Sequence, residues 1–236
     1  WGAAARRRRG SAARPTAEPA AGSTLRRLQA TGPIKLRETS VLFRPDCIAI
    51  GSSTGGPQAL LKVFQMLGKV TNLPIFVTQH MPPTFTTILA EHLTQASGMP
   101  AAEAQDGEPV MPGRIYVAPG DFHMTVQVEG GRKLMRLDKN PQENFCRPAV
   151  DPMLRSLAKV YNGKVLTVIL TGMGQDGLKG GQEISAAGGV IAAQDDATSV
   201  VWGMPGAVAN AGLCSAVLPL SDIGPYVRKT ISRMAA

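Results

Sequence analysis

The sequence has no apolar run approaching the ~18 residues that a bilayer-spanning helix needs, so no membrane insertion is expected. Cysteine is scarce. Cys47, Cys146 and Cys214 are odd in number and far apart, with no CxxC pair and no Cys/His cluster. That spacing offers nothing to zinc, and three reduced thiols fit a cytoplasmic protein. A basic excess is also missing where it would matter. The net charge is +8, yet residues 1–45 hold ten Arg and Lys against two acids, and the remaining 191 residues hold fifteen of each sign. A nucleic-acid binder carries its positive charge on a folded face, so no nucleic-acid partner is expected.

What is present suits a full globular core: 44% of residues are hydrophobic and 18% charged. Residues 1–30 are rich in Ala, Arg, Gly, Pro and Ser, show no periodicity and carry few large apolar side chains. Such a stretch buries too little surface to offset the entropy of ordering. Residues 1–45 therefore read as a disordered basic linker, with a docking arm for an acidic partner as the sharper alternative. The Arg6–Arg9 run is not followed by an apolar segment, which argues against an export signal. The chain begins with Trp1 rather than Met, as expected of a processed product or a piece of a longer protein.

From Asp46 the pattern changes to short β-rich runs alternating with amphipathic helical segments. Strands are expected at Cys47–Ile50, Ile75–Thr78, Arg114–Ala118, Thr125–Val128, Lys133–Leu137, Val165–Leu170 and Val190–Ala193. Helices are expected at Gln58–Met66, Phe85–Leu93, Pro152–Tyr161, Leu178–Ala187 and Ile223–Met234. The run VLTVIL at 165–170 is continuously apolar but for Thr167, as in a strand buried on both faces. This order predicts an α/β fold: a doubly wound, mostly parallel sheet with helices on both faces and a small β-hairpin, occupying residues 46–236.

In such a sheet the site lies beyond the carboxyl ends of the strands. After the first strand, Gly51 to Gly55 form a G-x-S-x-G pattern centred on Ser53, in the strand-turn-helix context of a nucleophile elbow. Amides at the following helix N-terminus can receive an oxyanion. The plainer reading is a helix-capping serine in a Gly turn. After the second strand comes His80, on the same edge, with a side chain suited to general base work. His92, within a helix, and His123, after a Pro-Gly turn, are weaker candidates. After the most apolar strand, Gly172, Gly174 and Gly177 bracket Asp176, placed to orient an imidazole and stabilise its cation. An Asp in a Gly-rich turn is the alternative. The order Ser, His, Asp differs from that of α/β-hydrolases. Phosphate-binding readings of the first loop fail, since Pro57 replaces the Walker lysine and Ser53 the second dinucleotide glycine.

The motifs IAIGSSTGGPQAL (48–60), QHMPPTF (79–85), DGEPVMPGRIYVAPGDFHM (106–124), RPAVDPML (147–154), LTGMGQDG (170–177) and AAQDDATSVVWGMPGAV (192–208) follow one another as in the catalytic domain of the chemotaxis methylesterase family (CheB), which the chain resembles over about residues 46–225. The resemblance implies Ser53 as nucleophile, His80 as base and Asp176 as third member of a triad. It implies an oxyanion hole from the backbone N–H groups of Thr54 and Met173. It further implies demethylation of methyl-glutamates, and deamidation of glutamines, on the cytoplasmic part of methyl-accepting chemoreceptors. No cofactor or metal is called for. The family's usual N-terminal receiver domain would precede the linker in a parent protein. Ser52 stands where the family often has Ala, leaving two serines side by side. Arg147 is a candidate for a substrate carboxylate, although an Arg-Pro before a helix is as often structural, and Trp202 is a candidate for the core. Outside this resemblance, two readings compete: a nucleotide-binding enzyme using the 51–56 loop, and a non-enzymatic adaptor docking through its basic tail.

Overall fold

The computed structural model describes residues 33–40, 42–69 and 72–232. Along the chain run β1 (Cys47–Ser52), α1 (Gly56–Leu67), β2 (Ile75–Gln79), α2 (Phe85–Ser97), β3 (Ala101–Glu103), β4 (Ile115–Val117), β5 (His123–Glu129), β6 (Arg132–Asp138), α3 (Val150–Val160), β7 (Val165–Ile169), α4 (Leu178–Ala186), β8 (Val190–Gln194), α5 (Met204–Asn210), β9 (Ala216–Leu218) and α6 (Leu220–Ser232). Seven strands form one sheet in the order β3-β4-β2-β1-β7-β8-β9, every pairing parallel. Strands β5 and β6 form a separate antiparallel hairpin. The α/β fold expected from the sequence is the fold observed.

Strands β1, β2, β7 and β8 are buried at every residue, because helices cover both faces. Period-two alternation divides β1 between two cores. Ile48 and Ile50 join Leu60, Val63 and Phe64 of α1, Leu89 and Leu93 of α2, and Ile223 and Val227 of α6. Cys47 and Ala49 join Met153, Leu154 and Leu157 of α3, Ile184 of α4 and Val208 of α5. The hairpin adds Met124, Val126 and Met135 to that second core. Burial of each large side chain contributes about 1.5–3 kcal/mol.

The order of strands diverges at β1, with β2 on one side and β7 on the other. A crevice opens beyond the carboxyl ends of strands at such a switch point. Three short elements, β3, α5 and β9, were not anticipated. They are three, seven and three residues long, too short for a periodic signal.

The segment 1–30 expected to be disordered lies outside the described residues. Of the rest of the expected linker, residues 33–40 and 42–45 form no helix or strand. Ile34 nevertheless packs on the core. The Arg37 amide donates to Cys214 O at 2.8 Å, and its guanidinium to Ser185 O, in the last turn of α4, at 3.2 Å. A cation there complements the helix's carbonyl end, so this part is fastened to the body.

Candidate active site

Ser53 is the first residue beyond β1. Ser52 pairs with Gln79 in the β1–β2 ladder, and the His80 N–H donates to Ser52 O at 3.1 Å. Ser53 and His80 therefore leave neighbouring strands at the same level. Gly55, at φ 79°, turns the chain from strand into helix, and Pro57 sits in the first turn of α1. The Ser53 N–H donates to Thr171 O at 3.0 Å, which ties the elbow to the loop after β7. That loop approaches closely: a Cβ on Gly172 would lie 2.8 Å from Ser53 Cβ and 2.5 Å from Met204 Sδ.

Gln79 is a member of the site that sequence reasoning missed. Its buried amide accepts from Ser52 Oγ at 2.7 Å and donates to Ser53 O at 2.9 Å and to His80 O at 3.1 Å. One side chain thus fixes the backbone of both elbow and base. Ser52 is fully buried and its hydroxyl is occupied by Gln79. Of the two adjacent serines, only Ser53 is open to solvent.

His80 Nε2 lies 2.7 Å from Asp176 Oδ2. The same Oδ2 accepts from the Val150 N–H at 2.6 Å. Asp176 Oδ1 accepts from the Asp151 N–H at 3.0 Å, the Gly177 N–H at 2.9 Å and Asn144 Nδ2 at 2.9 Å. Burial pushes the Asp176 pKa up, but the hydrogen bonds from His80 and from the Val150 and Asp151 amides outweigh it and hold the carboxyl below its ordinary value. With an ionised acceptor on Nε2, that nitrogen carries the ring proton and Nδ1 keeps its lone pair. Nδ1 lies 3.3 Å from Cys146 Sγ. Burial and then the Asp176 charge raise the Cys146 pKa, so the thiol is protonated and donates to Nδ1. No hydrogen bond joins Ser53 Oγ to His80 among the described residues.

The N–H groups of Thr54 and Met173 donate to no acceptor among the described residues. They stand on the two loops that meet at Ser53, and the Met173 side chain is 71% exposed. The remaining sequence candidates are placed elsewhere or already engaged. His92 is exposed on α2. His123 is buried, with Nδ1 accepting from the Ala149 N–H and Nε2 facing Pro141 O. Arg147 does not reach out for a substrate carboxylate. Its guanidinium is held by Asp121 Oδ1 at 2.7 and 3.1 Å and by the carbonyls of Lys139 and Asn140. Trp202 is half-buried, packs against the second core as expected, and donates through Nε1 to Gln194 O at 2.9 Å. Among the described residues no cluster of three His, Cys, Asp or Glu is placed to hold a metal ion.

A shallow depression beside the base is lined by His80, Met81, Gln142, Phe145, Cys146 and Arg147. A larger cleft between β5 and α3 includes none of Ser53, His80 and Asp176. The sheet edge is the chemically equipped place, since an imidazole–carboxylate pair and a partly exposed serine leave the strands there at the same level.

The family model described as CheB methylesterase matches residues 48–227. The chain belongs to the CheB methylesterase family. It is 65% identical over 193 residues to a protein-glutamate methylesterase/protein-glutamine glutaminase of Azospirillum brasilense, an alignment covering 81% of this chain and 49% of that protein. It is 57% identical over 235 residues to a protein of the same name, of a group 2 operon, from Rhodospirillum centenum, covering 100% of this chain and 59% of the other. The chain thus spans about half the length of the curated relatives it matches. The crystal structure of the Thermotoga maritima CheB methylesterase catalytic domain superposes with a TM-score of 0.76 at 44% identity, covering 78% of this chain and 98% of that one.

Proposed function

We propose that this CheB-family chain is a serine hydrolase that demethylates methyl-glutamate side chains of chemoreceptors and deamidates receptor glutamines, with Ser53, His80 and Asp176 as its triad. The observation that carries the reading is the His80–Asp176 pair at 2.7 Å, at the same strand-end level as the partly exposed Ser53. Names of relatives supply the two reactions. Residues 46–236 are the catalytic domain in this reading, acting on the cytoplasmic part of the receptor. Residues 1–45 are the linker through which a receiver domain would be joined.

The chemistry follows from the tautomer. Nδ1 of His80 exchanges the Cys146 thiol for the Ser53 hydroxyl as substrate enters, since hydrogen bonds to a nucleophile commonly tighten only in the complex. Ser53 Oγ attacks the side-chain ester carbonyl while its proton moves to Nδ1. The imidazolium is stabilised by Asp176, which stays ionised. The tetrahedral oxyanion is received by the N–H groups of Thr54 and Met173, each such donor contributing about 3 kcal/mol. Nδ1 returns the proton to the departing methoxide and methanol leaves. Water, deprotonated by His80, then resolves the acyl-enzyme to glutamate and restores Ser53. With glutamine the same steps release ammonia.

The test is methanol release from methylated chemoreceptor membranes, comparing the chain with Ser53→Ala. Release that disappears in the variant is expected. Release at an unchanged rate would remove Ser53 from the mechanism, and none from the folded unmutated chain would remove the activity.

A further inference from the structure

Helices α3 and α4 both lack a side-chain cap of their own. The N-cap of α3 is Ala149 and that of α4 is Gly177, and neither helix shows a side-chain capping bond. The orphan amides at a helix start need acceptors, and here each helix takes its acceptor from the other. Asp176, just before α4, accepts from the Val150 and Asp151 N–H groups that open α3. Asp151, in the first turn of α3, accepts through Oδ1 from the Gly177 N–H at 3.1 Å and the Gly180 N–H at 2.7 Å, which open α4.

The two carboxylates are also joined through shared donors. Asn144 Nδ2 lies 2.9 Å from both Asp176 Oδ1 and Asp151 Oδ2. The Gly177 N–H serves Oδ1 of both. Asp151 is 1% exposed, and burial together with the Asp176 charge raises its pKa. Two carboxylates buried together repel and lose hydration, so this arrangement is an expensive way to cap a helix. What the second carboxylate adds is a fixed geometry. All three donors on Asp176 Oδ1 either belong to Asp151 or are shared with it. The arrangement leaves Oδ2 to His80 and one amide. Asn144 holds its place in a left-handed turn at φ 52°, fixed by paired hydrogen bonds between Glu143 and Cys146.

We propose that Asp151 and Asn144 are positioning residues of the hydrolytic site, locking the Asp176 carboxylate in the orientation that meets His80 and acting on turnover only through it. The inference rests on the triad reading above. Neither residue touches the reacting atoms.

The test is a double-variant cycle on methanol release from methylated receptor membranes. The variants are Asp176→Asn, Asp151→Asn, Asn144→Ala, and each of the latter two combined with Asp176→Asn. Misplacing a reactive group by about 1 Å costs on the order of a hundredfold. Asp151→Asn and Asn144→Ala are therefore expected to lower kcat by about ten- to a hundredfold, with KM little changed. In the Asp176→Asn background either change should alter kcat by less than about twofold, because groups acting as a unit are not additive. A merely structural role lowers the active fraction equally in both backgrounds, so losses that multiply would overturn the proposal. So would unchanged kcat in both single variants. Asn144 lies on an outer turn, so Asn144→Ala keeps the test alive if Asp151→Asn unfolds, as followed by thermal melting. Asp176→Asn turning over at the unmutated rate would instead sink the triad reading itself.

Discussion

Ser52 Oγ donates to Gln79 Oε1 at 2.7 Å in the interior of the sheet, while Nε2 of the same amide donates to Ser53 O at 2.9 Å. The bond distinguishes two adjacent serines: the Ser52 hydroxyl is buried and engaged, whereas Ser53 is partly exposed and is the nucleophile in the reading proposed above. Ser52→Ala leaves a buried acceptor on Gln79 without its donor, a loss of about 1–3 kcal/mol. The expected outcome is a lower melting temperature with esterase turnover largely retained. Ser53→Ala should show the reverse, an unchanged melt with turnover lost. Measuring both properties on both variants checks the division, and a Ser52→Ala enzyme that melts normally but is inactive would reverse the assignment.

Asp176 is expected to give the protein a pH-dependent contribution to stability. Its carboxyl is held below the ordinary value, against the pull of burial, by donors from His80 and from α3. A carboxyl with a depressed folded pKa contributes stability that is fully present above the unfolded value of about 3.9 and is lost as pH falls through the folded value. Asp176→Asn should therefore melt well below the unmutated chain at pH 7, and the gap should narrow below about pH 4. A gap that is constant across this range would mean that the carboxylate charge is not what the donors stabilise.

Much of the candidate site was legible because each candidate residue follows a strand whose burial is written in its sequence. CIAI at 47–50, IFVT at 75–78 and VLTVIL at 165–170 carry apolar residues in both registers, with Thr78 and Thr167 the exceptions, so their ends could be located and the next polar residues ranked. The edge strands Ala101–Glu103 and Ala216–Leu218 have only three residues each, and the hydrophobic effect writes no period over so short a span. Gln79, Asn144 and Asp151 were illegible for a different reason. Gln79 reads as the polar end of a strand, and Asp151 as an acid favoured in the first turn of any helix. What connects them to the candidate site is burial and a convergence of partners from segments far apart in the chain, which no local pattern encodes. Arg147 left two readings open in the sequence, an anion binder or a structural Arg before Pro, and a guanidinium already satisfied by Asp121 and two carbonyls fits the structural one.

Cys146 gives a chemical readout of the same electrostatics. Burial first, and the Asp176 charge second, raise its thiol pKa, so less thiolate is present at neutral pH than for an ordinary cysteine. Since the thiolate is the nucleophile, alkylation of Cys146 by iodoacetamide at pH 7.5 should be slower than that of a free thiol. Asp176→Asn removes one of the two causes, and the pKa should fall and the rate rise. Mass spectrometry of the peptide carrying Cys146 measures both rates. Equal or slower labelling in the variant would contradict the proposed coupling.

The close approach of Gly172 to Ser53 allows a test by a single methyl group. A Cβ at 172 would lie 2.8 Å from Ser53 Cβ, 3.0 Å from Ser53 N and 2.5 Å from Met204 Sδ. Met204 Sδ can swing aside, but the elbow backbone is fastened by its bond to Thr171 O and by Gln79. Gly172→Ala should therefore displace Ser53 itself. Overpacking of this kind destabilises by about 1–3 kcal/mol, and a displacement of the proposed nucleophile by a few tenths of an ångström should lower kcat by at least about tenfold. Gly181 in α4 is the matched control. A Cβ there meets its nearest neighbours at 3.4, 3.6 and 3.7 Å, which is ordinary contact, and Ala is favoured over Gly in a helix interior by about 0.5–1 kcal/mol. Gly181→Ala should melt at or above the unmutated temperature with full turnover. If both variants lose activity in proportion to stability, the glycine at 172 matters for folding alone. If Gly172→Ala loses far more activity than its melting shift explains, the contact between the β7 loop and the elbow sets the position of the nucleophile.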